Sequence, residues 1–159
     1  YNYSMDMYLI IKTLHIISAT ILFGTGAGIA FFMFRAYFTD NLHEKHFAAR
    51  NTVLADYIFT APAVIIQPLS GFWLIWQGGY DWNSLWLSLT YGIYVLAGLC
   101  WLPVIAIQIR LKHMVAQALN DNAPLPDKYN KLFKLWFILG WPAFIGLVIV
   151  FFLMVFKPA

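Results

Sequence analysis

The chain has 159 residues, of which 62% are hydrophobic and 11% are charged, and its mean hydropathy is +0.70. Soluble globular domains carry about 25% charged residues, so this composition excludes a soluble protein and indicates one that resides in a lipid bilayer. The net charge of +3 requires no nucleic-acid partner, because the positions of the basic residues follow a membrane topology.

Four apolar runs are long enough for the roughly 20 residues with which an α-helix crosses a bilayer. None of them alternates as the strands of a transmembrane barrel do. We therefore predict an all-α fold: a polytopic membrane protein with a four-transmembrane-helix bundle in a single domain, residues 1–159. The predicted spans are residues 7–34, 57–76, 85–109 and 135–156. The first run is too long for the apolar region of a signal peptide and lacks a basic flank, so we expect it to be retained.

The first span contains two ionisable side chains, Lys12 and His15, one helical turn apart in the segment YLIIKTLHIISATILFGTGAGIAFF. Ionisable residues within a span almost always face the bundle interior or a water-filled cavity, and they mark functional sites by default. Further along the span, Gly24 and Gly28 form a GxxxG pair, which strips one helix face of side chains so that a neighbouring helix can approach closely. The glycine pair therefore predicts helix packing.

The connection at about residues 40–56 carries apolar residues at loosely helical spacing among charges, namely Leu42, Phe47, Val53 and Leu54. This pattern predicts an amphipathic cytoplasmic helix that leads into the second span.

The later spans contain internal prolines. Each proline removes a backbone donor, and in lipid the carbonyl that is freed has to find another partner. Gln67 stands next to Pro68, so its side chain is a candidate for capping that carbonyl. The prolines are Pro62, Pro68, Pro103 and Pro142.

Polar side chains of three spans fall at similar depths when residues are counted at 1.5 Å each. His15 lies about three turns inside the first span, Gln67 near the centre of the second, and Ser70 in its outer half. The candidate site is this polar layer, composed of His15, Lys12, Gln67, Ser70, Tyr91 and Tyr94.

The basic residues are divided unequally between the two sides of the predicted bundle. The first and third connections share one side, and this side holds eight of the ten Lys and Arg residues. By the positive-inside rule these connections are cytoplasmic, so the topology is N-out and C-out, with periplasmic termini in a bacterial cytoplasmic (inner) membrane.

Three roles remain open for His15. It could be a packing histidine that hydrogen-bonds Gln67, Tyr91 or Tyr94. It could ligate haem iron as a neutral imidazole, without a second histidine at matching depth. It could also handle protons or join Met5 and Met7 around a copper ion.

Three segments carry a resemblance to known families: LIIKTLHIISATILFGTGAGIAFFMFRAYF, TAPAVIIQPLSGFWLIW and YNKLFKLWFILGWPAFIGLVIVFFLMVFKP. Together they resemble a bacterial family of small predicted integral membrane proteins of unassigned function. More distantly they are similar to the HemJ-type protoporphyrinogen oxidases and to the membrane domain of CopD-type copper resistance proteins. The shared features are K-x-x-H-I-I in the first span, G-x-W-L in the second, and V-x-K-P after the fourth.

The HemJ resemblance implies a b-type haem in the bundle and a protoporphyrinogen oxidase activity. It puts His15 at the position of that family's histidine in the first span. It puts Arg35 at the position of the family's basic residue at the cytoplasmic end of the same span. The chain departs from the pattern late in the third span, where Gln108 is the only polar side chain at the place of a histidine.

We therefore expect a protein that binds haem b or a porphyrin through His15, with Lys12 near a propionate, and serves membrane redox chemistry or haem handling. One alternative is a non-enzymatic accessory or assembly subunit of a larger membrane complex, such as a respiratory complex, or a homo-oligomer. A second alternative is copper or proton handling at the outer face. The candidate cofactor-binding residues are His15, Lys12, Gln67, Ser70, Tyr91, Tyr94 and Arg35.

Overall fold

The fold was analysed in a computed structural model that describes residues 3–158, with side chains from residue 5 onward. The described residues form helices and connections and contain no strand. The helices are α1 (Tyr3–Tyr37), α2 (Leu42–Ala55), α3 (Ala61–Gly78), α4 (Leu85–Asn120) and α5 (Asp127–Phe156), with a π-helical turn, Asp56–Thr60, between α2 and α3.

The turn joins α2 and α3 into one continuous helix, Leu42–Gly78, so the chain has four long helices that are apolar enough to cross a membrane. The predicted all-α fold with four spans is thereby confirmed. We call one side of the bundle the terminal end; it holds both chain termini and the short α3–α4 connection. The side with the α1–α2 and α4–α5 connections is the connection end.

The helices extend beyond the predicted spans at the connection end. In α4 the helix continues to Asn120 rather than ending at about residue 109. Its last three turns are amphipathic, and Leu111 and Val115 are fully buried there. Since this segment packs against α2, the extra helix buries apolar surface outside the hydrocarbon layer.

The predicted amphipathic helix exists as α2, but a different face packs against the bundle. Phe47 is 64% exposed and Leu54 is 51% exposed. The buried face consists of Lys45, Ala48, Ala49, Thr52 and Val53. Small side chains on this face bring α2 close to α1 and α4, whereas the large apolar side chains point away from the protein.

Lys45 is buried at 8% exposure and closes the end of α1. Its ammonium group donates hydrogen bonds to the carbonyl oxygens of Ala36, at 3.0 Å, and Tyr37, at 2.6 Å. The last carbonyls of a helix have no partner within the helix and carry its negative dipole, so a cation stabilises them. This contact fixes the corner between α1 and α2.

The π-helical turn ends two residues before Pro62, which has no amide hydrogen to continue the α-helical ladder. Such single-turn widenings are frequent at functional sites. Here the turn begins with Asp56 and ends with Thr60, and both side chains are buried.

The bundle has two packed ends with a cavity between them. At the connection end, Leu111, Val115, Phe133 and Trp136 belong to one cluster of buried residues. At the terminal end, Ile75, Trp86, Leu87 and Leu153 form a second, smaller cluster. The most extensive helix pairings are α4 with α5 and α1 with α3, and α1 and α5 touch only sparsely.

The terminal end is closed by an interaction outside the membrane spans. The Lys157 ammonium group donates a 2.7 Å hydrogen bond to the Tyr80 hydroxyl group. This hydrogen bond lowers the pKa of Tyr80 below the ordinary value of 10.0. The contact ties the end of α5 to the α3–α4 connection.

Candidate functional site

The structure brings His15 of α1 together with Ser70 of α3. The Nδ1 atom of His15 lies 2.7 Å from the Ser70 Oγ atom, and the imidazole is half-buried. Gly71 makes room for the ring, because a Cβ atom at that position would lie 3.3 Å from the His15 Cε1 atom. The predicted polar layer includes both residues, and in the structure their side chains contact each other.

The surroundings of Ser70 indicate which nitrogen of His15 carries the proton. The Ser70 Oγ atom also lies 2.6 Å from the Ile66 carbonyl oxygen, which can only accept a hydrogen bond. Both short contacts are hydrogen bonds only if Ser70 donates its single hydrogen to Ile66 and His15 donates Nδ1–H to Ser70. In the neutral imidazole this leaves Nε2 unprotonated, with a free lone pair.

The side chains of Gln67 and Tyr94 donate hydrogen bonds to backbone carbonyl oxygens of neighbouring helices. The Gln67 Nε2 atom donates a 2.8 Å hydrogen bond to the His15 carbonyl oxygen. The Tyr94 hydroxyl group donates a 2.5 Å hydrogen bond to the carbonyl oxygen of Val64, four residues before Pro68. In a regular α-helix this carbonyl oxygen would accept a hydrogen bond from the amide of residue 68, but Pro68 has no amide hydrogen. Tyr94, rather than the adjacent Gln67, therefore caps the carbonyl at this proline.

Two further residues of the predicted layer, Lys12 and Tyr91, make no hydrogen bond to His15 in the described part of the chain. Lys12 is exposed, one helical turn nearer to the terminal end. The Tyr91 hydroxyl group is buried and has no hydrogen-bond partner within the described residues. Arg35 lies 20 residues beyond His15 in the same helix, a rise of roughly 30 Å, so it cannot contact a ligand on His15.

The two methionines proposed for copper are also distant. Met7 and Met5 lie eight and ten residues before His15 in one continuous helix, or roughly 12 and 15 Å along its axis. Both side chains are about half exposed. Within residues 3–158, no group of three His, Cys, Asp or Glu side chains could hold a metal ion. His15 therefore cannot share one copper ion with either methionine within this helix, and copper or proton handling at the outer face stays a prediction.

Gly24 and Gly28 contact no other helix of the chain closely. A Cβ atom at either position would meet no neighbouring atom within 4 Å. Packing through this face, if it occurs, would have to involve another polypeptide, and it stays a prediction.

A second polar cluster lies near the connection end and was not identified as a site from the sequence. It consists of Asp56, Thr60, Gln108 and Trp136, none more than 5% exposed. The side chains of Thr60 and Gln108 approach the Asp56 carboxyl group, as does that of Trp101. Within the described chain, the Asp56 Oδ2, Thr60 Oγ1, Gln108 Oε1 and Trp136 Nε1 atoms nevertheless have no hydrogen-bond partner.

One sequence signal could have revealed this cluster. Asp56 and Thr60 are four residues apart at the start of an apolar span, so they share a helix face. The predicted connection at about residues 40–56 ends with Asp56, so this residue was not considered for a site within the bundle. The structure corrects this assignment, since Asp56 is 4% exposed and belongs to the π-helical turn.

The cluster faces a cavity of about 320 Å³ between α1, α4 and α5. Its wall is otherwise almost entirely apolar and rich in aromatic rings, and Tyr94 borders it as well. On two sides the cavity wall includes side chains that are exposed at the protein surface, Trp141 and Phe137 of α5 and Ala30 of α1. The cavity thus opens sideways towards the surrounding lipid. Neither His15 nor Ser70 lines it.

The comparison with known proteins agrees with this architecture. No curated protein and no solved structure matches the chain significantly. A family model described as predicted integral membrane protein (DUF2269) matches residues 9–158, which contain α2 to α5 and all but the first six residues of α1. The chain therefore belongs to the DUF2269 family of predicted integral membrane proteins.

Proposed function

We propose that the protein binds haem b or a related porphyrin through His15 and serves membrane redox chemistry or haem handling. The supporting observation is the 2.7 Å contact between His15 Nδ1 and Ser70 Oγ. With Ser70 donating its hydrogen to the Ile66 carbonyl oxygen, His15 donates Nδ1–H and keeps a free lone pair on Nε2. Histidines that ligate metals almost always donate their other ring N–H to a neighbouring acceptor, which fixes the tautomer and the orientation of the ring. The donor atom therefore fits axial ligation of haem iron.

The chain's own residues would hold and orient the group. Ser70 holds the imidazole, and the absence of a side chain at Gly71 gives the ring its space. Lys12 lies on the side of His15 that faces the terminal end, where its ammonium group could pair with a propionate. His43, His46 and His113 belong to α2 and the late part of α4 at the connection end, so the iron would have one histidine ligand. When bound, haem supplies one-electron chemistry.

The test is an absorption spectrum of the detergent-purified protein, oxidised and then reduced with dithionite. We expect a Soret band in the wild type that disappears in His15→Ala. The matched control is His113→Ala, which removes an exposed histidine of α4 and should retain the band. The same haem content in His15→Ala and the wild type, at equal helicity, would contradict the proposal.

A second candidate function is that of an accessory subunit of a larger membrane complex. The observation that favours it is the empty space beside Gly24 and Gly28, on a helix whose Phe31 and Phe32 side chains are 60% and 64% exposed. In this case Gly24→Leu should reduce co-purification of the larger subunits and leave the isolated protein folded. A colourless protein that co-purifies stoichiometrically with such subunits would favour this function over haem binding.

We also propose that the protein resides in a bacterial cytoplasmic membrane with both termini in the periplasm. Eight of the ten basic residues belong to the connections and helix ends at the connection end. The positive-inside rule then puts the connection end in the cytoplasm.

A further inference from the structure

The cavity between α1, α4 and α5 combines an apolar wall with a polar end that lacks partners. We propose that it binds a lipophilic amine: a molecule with an ammonium group on an apolar or aromatic body that enters from the membrane. This site is separate from His15, which does not line the cavity.

The polar end of the cavity is chemically specific. Three oxygen atoms lie there without a hydrogen-bond partner in the described chain: Asp56 Oδ2, Thr60 Oγ1 and Gln108 Oε1. Buried polar groups are normally paired, and an unpaired group costs free energy. A primary ammonium group has three N–H donors and no acceptor, so it supplies donors to such oxygens without adding an acceptor that would itself need a partner.

Charge favours an amine over a neutral or acidic ligand. A carboxylate inside the membrane needs an opposite charge or donors to offset its desolvation. A cation next to Asp56 supplies that charge, whereas an anionic ligand would be repelled and an alcohol has only one hydrogen to donate. The indole N–H group of Trp136 lies at the same end and can bind an oxygen acceptor next to the ammonium group.

The apolar part of the cavity fits the body of such a ligand. The cavity volume of about 320 Å³ is within the range of small-molecule sites. Trp101 and Trp141 also line it, and the faces of indole rings attract cations. Because the cavity opens towards lipid near the exposed Trp141, a ligand dissolved in the bilayer can enter without crossing water.

The test uses two probes of nearly equal shape, 2-(2-naphthyl)ethylamine and 2-(2-naphthyl)ethanol. Titration calorimetry with the purified protein in detergent, corrected for partition into empty micelles, measures saturable binding. We expect the amine to bind at least tenfold more tightly than the alcohol. Asp56→Asn should weaken amine binding at least tenfold and leave alcohol binding unchanged. The matched control, Asp121→Asn, removes an exposed carboxylate after α4 and should bind the amine like the wild type.

A second pair of variants keeps the test valid if Asp56→Asn does not fold. Gly98 lines the cavity and Gly92 does not, although both belong to α4 and a Cβ atom at either would meet no atom within 4 Å. Gly98→Leu should therefore fill the cavity and abolish amine binding, whereas Gly92→Leu should not.

The proposal is overturned if the wild type shows no saturable amine binding or binds the alcohol as tightly as the amine. It is also overturned if Gly98→Leu binds the amine normally. Because the two sites are separate, His15→Ala should retain amine binding even where it loses haem.

Discussion

A single polar atom of a neighbouring helix accommodates Pro68 in this bundle. Pro68 interrupts the hydrogen-bond ladder of α3 beside the candidate haem ligand, and the Tyr94 hydroxyl group from α4 reaches across to the Val64 carbonyl oxygen. A carbonyl without a partner is costly in lipid because no water can replace the lost hydrogen bond. Tyr94 therefore links α4 to α3, although these helices make few other contacts.

We predict that Tyr94→Phe lowers the free energy of unfolding by roughly 1–2 kcal/mol, the range for hydrogen bonds between membrane helices in model systems. In a Pro68→Ala background the loss should be smaller, because the introduced alanine supplies its own amide hydrogen to the Val64 carbonyl oxygen. Unfolding in mixed micelles with increasing dodecyl sulfate measures both effects. Equal losses in the two backgrounds would show that the hydroxyl group does not act through this carbonyl.

At the level of helices, the pairing of α4 with α5 is the most extensive contact in the molecule. It depends on close approach at Gly146, which is buried in α5. A Cβ atom at Gly146 would lie 2.9 Å from the Ile93 Cγ2 atom, closer than a packed side chain tolerates. By contrast, a Cβ atom at Gly140 of the same helix meets no atom within 4 Å.

These two glycines provide a matched comparison. We predict that Gly146→Ala destabilises the protein by about 1–3 kcal/mol, because the added methyl group forces α4 and α5 apart or displaces Ile93. Gly140→Ala should be neutral or stabilising by up to about 1 kcal/mol, since alanine is the better helix former. The same mixed-micelle assay applies. A Gly146→Ala variant as stable as Gly140→Ala would rule out this close packing.

At the scale of the whole molecule, the distribution of charge predicts its orientation in the membrane. The connection end contains Arg35, Lys45, Arg50, Arg110, Lys112, Lys128, Lys131 and Lys134. The terminal end has only Lys12 and Lys157. Connections rich in Lys and Arg are moved across the membrane less readily than others, so this asymmetry favours a cytoplasmic location for the connection end.

We predict that alkaline phosphatase fused after Lys157 is active in a bacterial host, whereas green fluorescent protein fused there is dark. Fusions within the α4–α5 connection, near Asn122, should give the opposite result. Bright green fluorescent protein at the C-terminus, with inactive phosphatase, would reverse the proposed topology. Membrane fractionation of each fusion controls for expression and insertion.

The sequence alone was sufficient for the fold and for part of the candidate site. Four apolar runs can satisfy their backbone hydrogen bonds in lipid only as helices, so composition and run length determine the architecture. Counting depth along the helices put His15 and Ser70 in one layer, because helical rise is regular. The contact between their side chains is seen only in the structure.

Only the tertiary structure decided which helix faces meet. Counting residues gives the depth of a side chain but not the direction in which it faces around the helix axis. Tyr94 was therefore grouped with His15, whereas in the structure it borders the cavity and donates a hydrogen bond to the Val64 carbonyl oxygen. The sequence pattern put Asp56 at the end of the first connection, because the second apolar run begins only after it. The π-helical turn rotates Asp56 and Thr60 into the bundle, where α4 supplies Gln108 and α5 supplies Trp136. That convergence depends on long-range packing between helices, which local sequence pattern does not encode.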